Sequence, residues 1–216
     1  MLEKMETFFE NRLSDYDEHM LNSIEGANEF YKFTAAQLPV EPRCEILDLG
    51  CGTGLELEEY FLLNPNAHIT GIDLSDAMLK SLAAKFPDKS LHLICGSYFD
   101  VPFGREKYDA AVSVESLHHF TAERKLSLYQ KLYQALKSNG CFVLTDYFAE
   151  SSALERECFE NFGKLKQKQG IVDDAFYHYD TPLTVEHEIV VLKDAGFSDV
   201  EVVRSWSATS TLIAKR

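Results

Sequence analysis

The residues of this chain that could do chemistry begin with a run of glycines. Residues 46–54 read ILDLGCGTG, placing glycine at 50, 52 and 54 in a chain with 11 glycines among 216 residues. An apolar, strand-like stretch enters this loop and a helix-like stretch leaves it at Leu55. Such a loop turns backbone N–H groups and a helix N-terminus towards a ligand. Gly50 lets the chain turn, Gly52 removes a side chain where a ligand must approach, and Gly54 permits close packing as the helix begins. A second feature is Asp73, which closes the strand-like run HITGID; a carboxylate there accepts both hydroxyls of a ribose. A third is SVESLHHF at 113–120, where Glu115, His118 and His119 follow another strand-like run. Histidine there is suited to accepting a proton near neutrality.

Several other chemistries fit less well. The spacing is GxGxG rather than the GxGxxG of dinucleotide binders, and no GK[ST] follows as in a nucleoside-triphosphate loop. Adjacent histidines are not metal-ligand spacing, HExxH is missing, and no metal is expected. The five cysteines (44, 51, 95, 141 and 158) form no CxxC, so buried reduced thiols are expected.

The elements that must position these residues alternate. After a helical stretch over 3–38, with Ser14 as an expected N-cap and a break near Gly26, Pro39 and Pro42 end the helical pattern. Then CEILDL, HITGID, LHLIC, YDAAVSV and CFVLTDY read as strands, mostly separated by segments of helical period. Ser75 and Thr121 are the expected N-caps of two of these helices. Strand–helix alternation favours a parallel sheet covered on both faces, with the carboxyl ends of the strands on one ligand-binding edge. Residues 148–183 interrupt the alternation with a helix and an aromatic-rich stretch. A helix at 186–195 and two strands joined near Ser207 complete the chain, and so short a connection makes that pair antiparallel. Residues 1–42 are thus expected to form an N-terminal helical cap, and 43–216 a binding domain with a cap-like insertion at about 148–183.

Composition narrows the partners. The 35 acidic against 21 basic residues give a formal charge of −14, whereas a nucleic-acid binder normally shows a basic face. No apolar run is long enough to span a bilayer. The start, MLEKMETFFENR, lacks the order of a secretory signal, so a cytoplasmic location is expected.

Taken together, ILDLGCGTG, ITGIDLS (69–75), CGSYFDVPFGREKYDAAVSVESLHHF (95–120) and LKSNGCFVLTDY (136–147) closely resemble the successive motifs of class I S-adenosylmethionine-dependent methyltransferases. The resemblance covers roughly 43–147, and the terminal segment 196–215 is similar to that family's last two strands. It implies a Rossmann-like, seven-stranded, mostly parallel sheet with a C-terminal antiparallel hairpin. It also implies S-adenosylmethionine as cofactor, with Asp48 and the loop Gly50, Cys51, Gly52 and Gly54 holding its methionine part. Asp73 would bind the ribose, Leu74 and Met78 would pack near the adenine, and Ser97 and Tyr98 would meet its polar edge. Many relatives carry aspartate where this chain has Ser97, so that charge is missing here. Glu115 joins the cofactor residues, while His118 and His119 face the acceptor.

The sulfonium cofactor arrives activated, so the protein mainly aligns an acceptor in line with the methyl–sulfur bond and excludes water. Tyr16 and Tyr31 from the cap, and Tyr147 and His178 from the other side, are the expected pocket walls, with Asp17 and His19 close by. A small-molecule acceptor fits the acidic composition. RNA or protein methylation would need a basic groove or an added recognition domain, and the NPPY-like sequence of amino-methylating nucleic-acid enzymes is missing after strand four. A cofactor-binding regulator without turnover and an NAD-linked dehydrogenase complete the alternatives. Monomer and homodimer are both compatible with the sequence.

Overall fold

The computed structural model describes all 216 residues. Seven strands form one sheet: β1 (Glu45–Leu49), β2 (His68–Asp73), β3 (Ser90–Cys95), β4 (Tyr108–Val114), β5 (Leu136–Tyr147), β6 (Asp199–Trp206) and β7 (Thr209–Lys215). Their order is β3-β2-β1-β4-β5-β7-β6. The first five run parallel, and β7 is antiparallel to both β5 and β6. The order reverses between β1 and β4, the switch point beside which such sheets bind ligands.

Strand alternation explains why both faces are covered. On β1, Ile46 enters one apolar core and Leu47 and Leu49 the other. On β5, Val143 and its neighbours Phe142 and Leu144 divide in the same way. One face is packed by α3 (Ala27–Ala35), α4 (Leu55–Leu63) and α5 (Asp76–Lys85), through residues such as Phe30, Leu57 and Leu82. The other face receives α6 (Ala122–Ala135) and α8 (Val185–Asp194), through Leu128, Tyr129 and Leu192. Between these two helices Lys125 Nζ lies 2.6 Å from Glu188, which also accepts from Tyr129; all three side chains are buried. Breaking such a buried pair costs about 3–5 kcal/mol, so the network fixes how α6 meets α8.

The expected caps at Ser75 and Thr121 are present, accepting from Met78 N (3.2 Å) and Arg124 N (3.4 Å). Ser14 is different: it lies inside a single 3-10 turn, Leu13–Asp15, and caps nothing. The N-terminal helices are consequently short: α1 (Met5–Glu10), α2 (Tyr16–Ser23) and α3, with Gly26 at φ 82° breaking the last two. A side chain at Gly26 would stand 2.8 Å from Trp206, so glycine there lets the cap approach the C-terminal hairpin. Within 148–183 the helix is α7 (Ser152–Lys168), which has no buried residue and is followed by a loop that returns to the sheet edge. All five cysteines are free, but only Cys44 and Cys51 are buried; Cys141 and Cys158 are half-buried, and Cys95 is exposed because it ends the edge strand β3. No helix is long and apolar enough to cross a membrane.

Candidate active site

The glycine loop follows β1 directly. Gly50, Gly52 and Gly54 have φ of 77°, 48° and 76°, a region costly for other residues. A Cβ on Gly50 would lie 2.1 Å from Ser116 Oγ, so this glycine admits the segment after β4 as well as turning the chain. Gly54 abuts Leu82 and Phe86 on its helix side. Asp73, at the end of β2, accepts from Gly52 N (3.0 Å) and Ser75 N (2.8 Å). One carboxylate therefore fixes the loop and starts α5. Burial raises its pKa, and these backbone N–H groups oppose the rise.

A cleft at this point is walled by Gly50, Gly52, Asp73, Met78 and Glu115, and α1 and α2 cover it with Met5, Phe9 and Tyr16. Its free volume is about 40 Å³, room for a few waters. The donor set suits a cofactor with a ribose and a charged amino-acid end: a glycine cradle, a strand-end carboxylate, and a buried acidic pair below. That pair is Asp48 and Glu56; Asp48 Oδ2 and Glu56 Oε1 are buried without a hydrogen-bond partner. Burial and the neighbouring carboxyl push Asp48 well up, and burial pushes Glu56 up to about 7. A cofactor of that size fits only once the cap side chains withdraw. Thr53 donates to Asp17 (2.5 Å), and Lys85 bridges Asp17 (2.9 Å) and Glu58 (2.6 Å), latching α2 to this wall.

Several residues expected at the cofactor stand off the cleft wall. Cys51 packs against the Gly71 position and Leu74 against the core. The Tyr98 ring is buried with its hydroxyl donating to the Ser116 carbonyl (3.2 Å). Ser97 Oγ accepts from Phe99 N (3.1 Å), closing a local turn.

Beyond Glu115 lies a second, larger space of about 760 Å³. Tyr16, Tyr147 and His178 line it, with His118 and His119. Tyr31 does not: it sits on the inner face of α3, buried against Phe30. Phe9, Tyr16, Glu115 and His119 belong to both walls, so the cavity and the cleft are neighbours. Glu115 has a φ of 49°, a strained backbone for a non-glycine residue and a cost of about 1–3 kcal/mol. Its N–H donates to Thr145 O (2.8 Å), and its carboxylate accepts from Thr209 (2.9 Å).

The histidines meet carboxylates from distant segments of the chain. His118 Nδ1 donates to Asp146 Oδ1 (2.6 Å), whose other oxygen accepts from Leu117 N (3.0 Å). His118 Nε2 lies 3.5 Å from Asp180 Oδ1, and His119 Nδ1 lies 3.3 Å from the same oxygen and 3.2 Å from the Tyr179 carbonyl. Burial disfavours charge on His118, but the carboxylates of Asp146, Asp180 and Glu115 overcome it and lift its pKa to about 10. His119 moves the other way, through burial and the neighbouring His118 charge. Burial and the adjacent histidines also take His178 down to about 4, and its ring stacks on Phe8 at 3.5 Å. The signal for Asp146 was a carboxylate at the end of the apolar strand CFVLTDY; Asp180 had no local signal.

The chain is similar to known proteins over most of its length. The family model described as a methyltransferase domain matches residues 46–140, from β1 into the start of β5. A carboxy-S-adenosyl-L-methionine synthase from Helicobacter hepaticus is 30% identical over 182 residues, covering 79% of this chain and 75% of that protein. Among solved structures, an S-adenosylmethionine-dependent methyltransferase from Mesorhizobium loti superposes with a TM-score of 0.61 at 19% identity, covering 85% of this chain and 96% of the other. A chain from Nostoc punctiforme gives a TM-score of 0.66 at 23% identity over 86% of this chain, which spans only 55% of that longer one.

Proposed function

Because the chain belongs to the class I S-adenosylmethionine-dependent methyltransferases, an enzyme superfamily, we propose that it methylates a small molecule held in the 760 Å³ cavity. The observation that carries this reading is the shared wall. Tyr16, Glu115 and His119 line both the cofactor cleft and the cavity, so an acceptor there lies beside the cofactor's reactive end. The volume falls in the range of small-molecule sites, about 300–1,000 Å³.

In this reading the cofactor supplies the methyl group as an activated sulfonium. Gly50, Gly52 and Asp73 hold it, with Met78 against its apolar part. Tyr147 and the aromatic rings of α1 exclude water and orient the acceptor. His118, fixed by Asp146, and His119 face that acceptor across the cavity floor. Calorimetric titration with S-adenosylhomocysteine, followed by assay of a panel of small acceptors for cofactor turnover, tests the reading. Affinity for NAD in place of S-adenosylhomocysteine would overturn it.

The 30% identical relative favours a second reading, in which a carboxylic acid in the cavity gives up its carboxyl group to the cofactor's methyl carbon, the methyl proton passing to the carbon left behind. Mass analysis of the sulfonium after turnover separates the two. A carboxylated sulfonium supports the second reading; an unmodified sulfonium with S-adenosylhomocysteine accumulating supports the first.

A further inference from the structure

We propose that His118, His119 and Asp180 bind a divalent transition-metal ion at the floor of the acceptor cavity. The three residues come from two segments, the loop after β4 and the return of the 148–183 stretch, and their ligand atoms lie within 4.8 Å of one another. His118 Nε2 is 3.5 Å and His119 Nδ1 is 3.3 Å from Asp180 Oδ1. Tetrahedral coordination with metal–ligand bonds near 2.1 Å requires ligand atoms about 3.4 Å apart. Both histidine–Asp180 spacings already match that edge.

Three further observations support the site. The distal nitrogen of His118 is held by Asp146 at 2.6 Å, the carboxylate–histidine arrangement that orients a ligating imidazole and raises its basicity. Asp146 is itself fixed by Leu117 N and Tyr147 N, so this support is rigid. Carboxylates are also in excess here: Glu115, Asp146 and Asp180 surround His118, with His119 the other imidazole in contact. Finally, Asp180 is half exposed to the cavity, which gives an ion a way in and leaves positions open to a substrate. Two imidazoles and one carboxylate form a donor set for zinc, iron(II) or cobalt(II) rather than for calcium or magnesium. Ligation exchanges the His119 hydrogen bond to the Tyr179 carbonyl (3.2 Å) for a metal bond and leaves that carbonyl as a nearby oxygen donor. An ion so placed binds an acceptor oxygen or carboxylate beside the cofactor cleft. This role rests on the proposed methyl transfer; the metal site itself does not.

The test uses the full chain, stripped with a chelator and titrated with zinc and, separately, with cobalt(II). We expect one ion per chain and, for cobalt, visible d–d absorption with nitrogen and oxygen ligation. Asp180→Asn and His119→Gln should each weaken binding at least about tenfold, and Asp146→Asn about 10–100-fold through the supporting hydrogen bond. His68→Gln and His92→Gln, on the far strands β2 and β3, should leave the affinity unchanged. S-adenosylhomocysteine titration of each variant reads the fold and the cofactor site independently. Failure of wild type to bind one ion saturably, or an Asp180→Asn/His119→Gln double variant that binds as wild type does, overturns the proposal. Metal binding without S-adenosylhomocysteine binding removes the functional reading and leaves the metal site standing.

Discussion

The cofactor wall is made by one loop and one strand end, joined by the hydrogen bond from Gly52 N to Asp73, 21 residues on. The acceptor wall draws Glu115, His118, Asp146 and Asp180 from three separate segments, and adds the cap and the C-terminal hairpin. The first wall is backbone and hydrogen bonds, tight enough that only about 40 Å³ stays free. The second is side chains and charge around 760 Å³. In the proposed reading, recognition of the constant cofactor sits in local geometry, and recognition of the acceptor in side chains from distant segments. If the two walls are independent, each should fail alone.

The largest expected effect is on the cofactor wall. Asp73→Ala removes a carboxylate that holds both Gly52 N and Ser75 N. It also removes the acceptor for the ribose hydroxyls of the proposed cofactor; two hydrogen bonds to a charged group, about 1.5–3 kcal/mol each, make the expected fall in S-adenosylhomocysteine affinity at least about 100-fold. Thermal stability should fall as well, because the loop and the start of α5 lose their common anchor. Affinity within about threefold of wild type would break the assignment of this wall.

On the acceptor wall the pattern should invert. His118→Asn removes an imidazole that Asp146 fixes on the cavity wall, and the lost alignment should slow turnover by about 100-fold while leaving S-adenosylhomocysteine affinity within about twofold. Calorimetry and single-turnover assay on the same sample check both halves. A variant that loses cofactor affinity as much as turnover would show that the two walls act as one.

That contrast also explains what could be read from the sequence. The succession of strands and helices, the glycine loop, Asp73 at the end of β2 and the terminal hairpin were legible because short apolar runs, helical periods and glycine spacing are local signals. The edge position of β3 was not, so Cys95 was expected inside and is found outside. The role of Gly50 was half legible: the turn showed, but its contact with Ser116, 66 residues away, depended on how β4 enters the sheet. Asp146 and Asp180 reach the histidines only because β5 lies beside β4 and the 148–183 stretch folds back over both. Tyr31 was misplaced for the opposite reason, since helix position alone does not say which face of α3 meets the core.

A smaller effect is expected where the walls meet. Tyr16 lies 3.9 Å from the position a Gly52 Cβ would take, and α2 is latched there through Asp17, Thr53 and Lys85. If only molecules with the cap withdrawn bind cofactor, apparent affinity is reduced by the open fraction. Asp17→Ala should then raise the association rate of S-adenosylhomocysteine about tenfold, measured by stopped flow. An unchanged rate would mean that the cap does not limit entry.

A last effect, on stability rather than on binding, tests the acidic pair beneath the loop. Asp48 and Glu56 are buried, and each has an oxygen without a partner, so a single shared proton satisfies them better than two negative charges do. Burial raises Glu56 from 4.5 to about 7. A carboxyl raised on folding holds its proton in the folded state, so its contribution to stability is complete below about 4.5 and is lost as pH rises through about 7. Glutamine at 56 carries a permanent donor towards Asp48 and does not titrate. Relative to wild type, Glu56→Gln should therefore gain about 2–3 kcal/mol between pH 5 and pH 8, read from urea unfolding at each pH. Parallel stability curves would show that the pair shares no proton, and the charge beneath the glycine loop would then have to be balanced from the cleft above it.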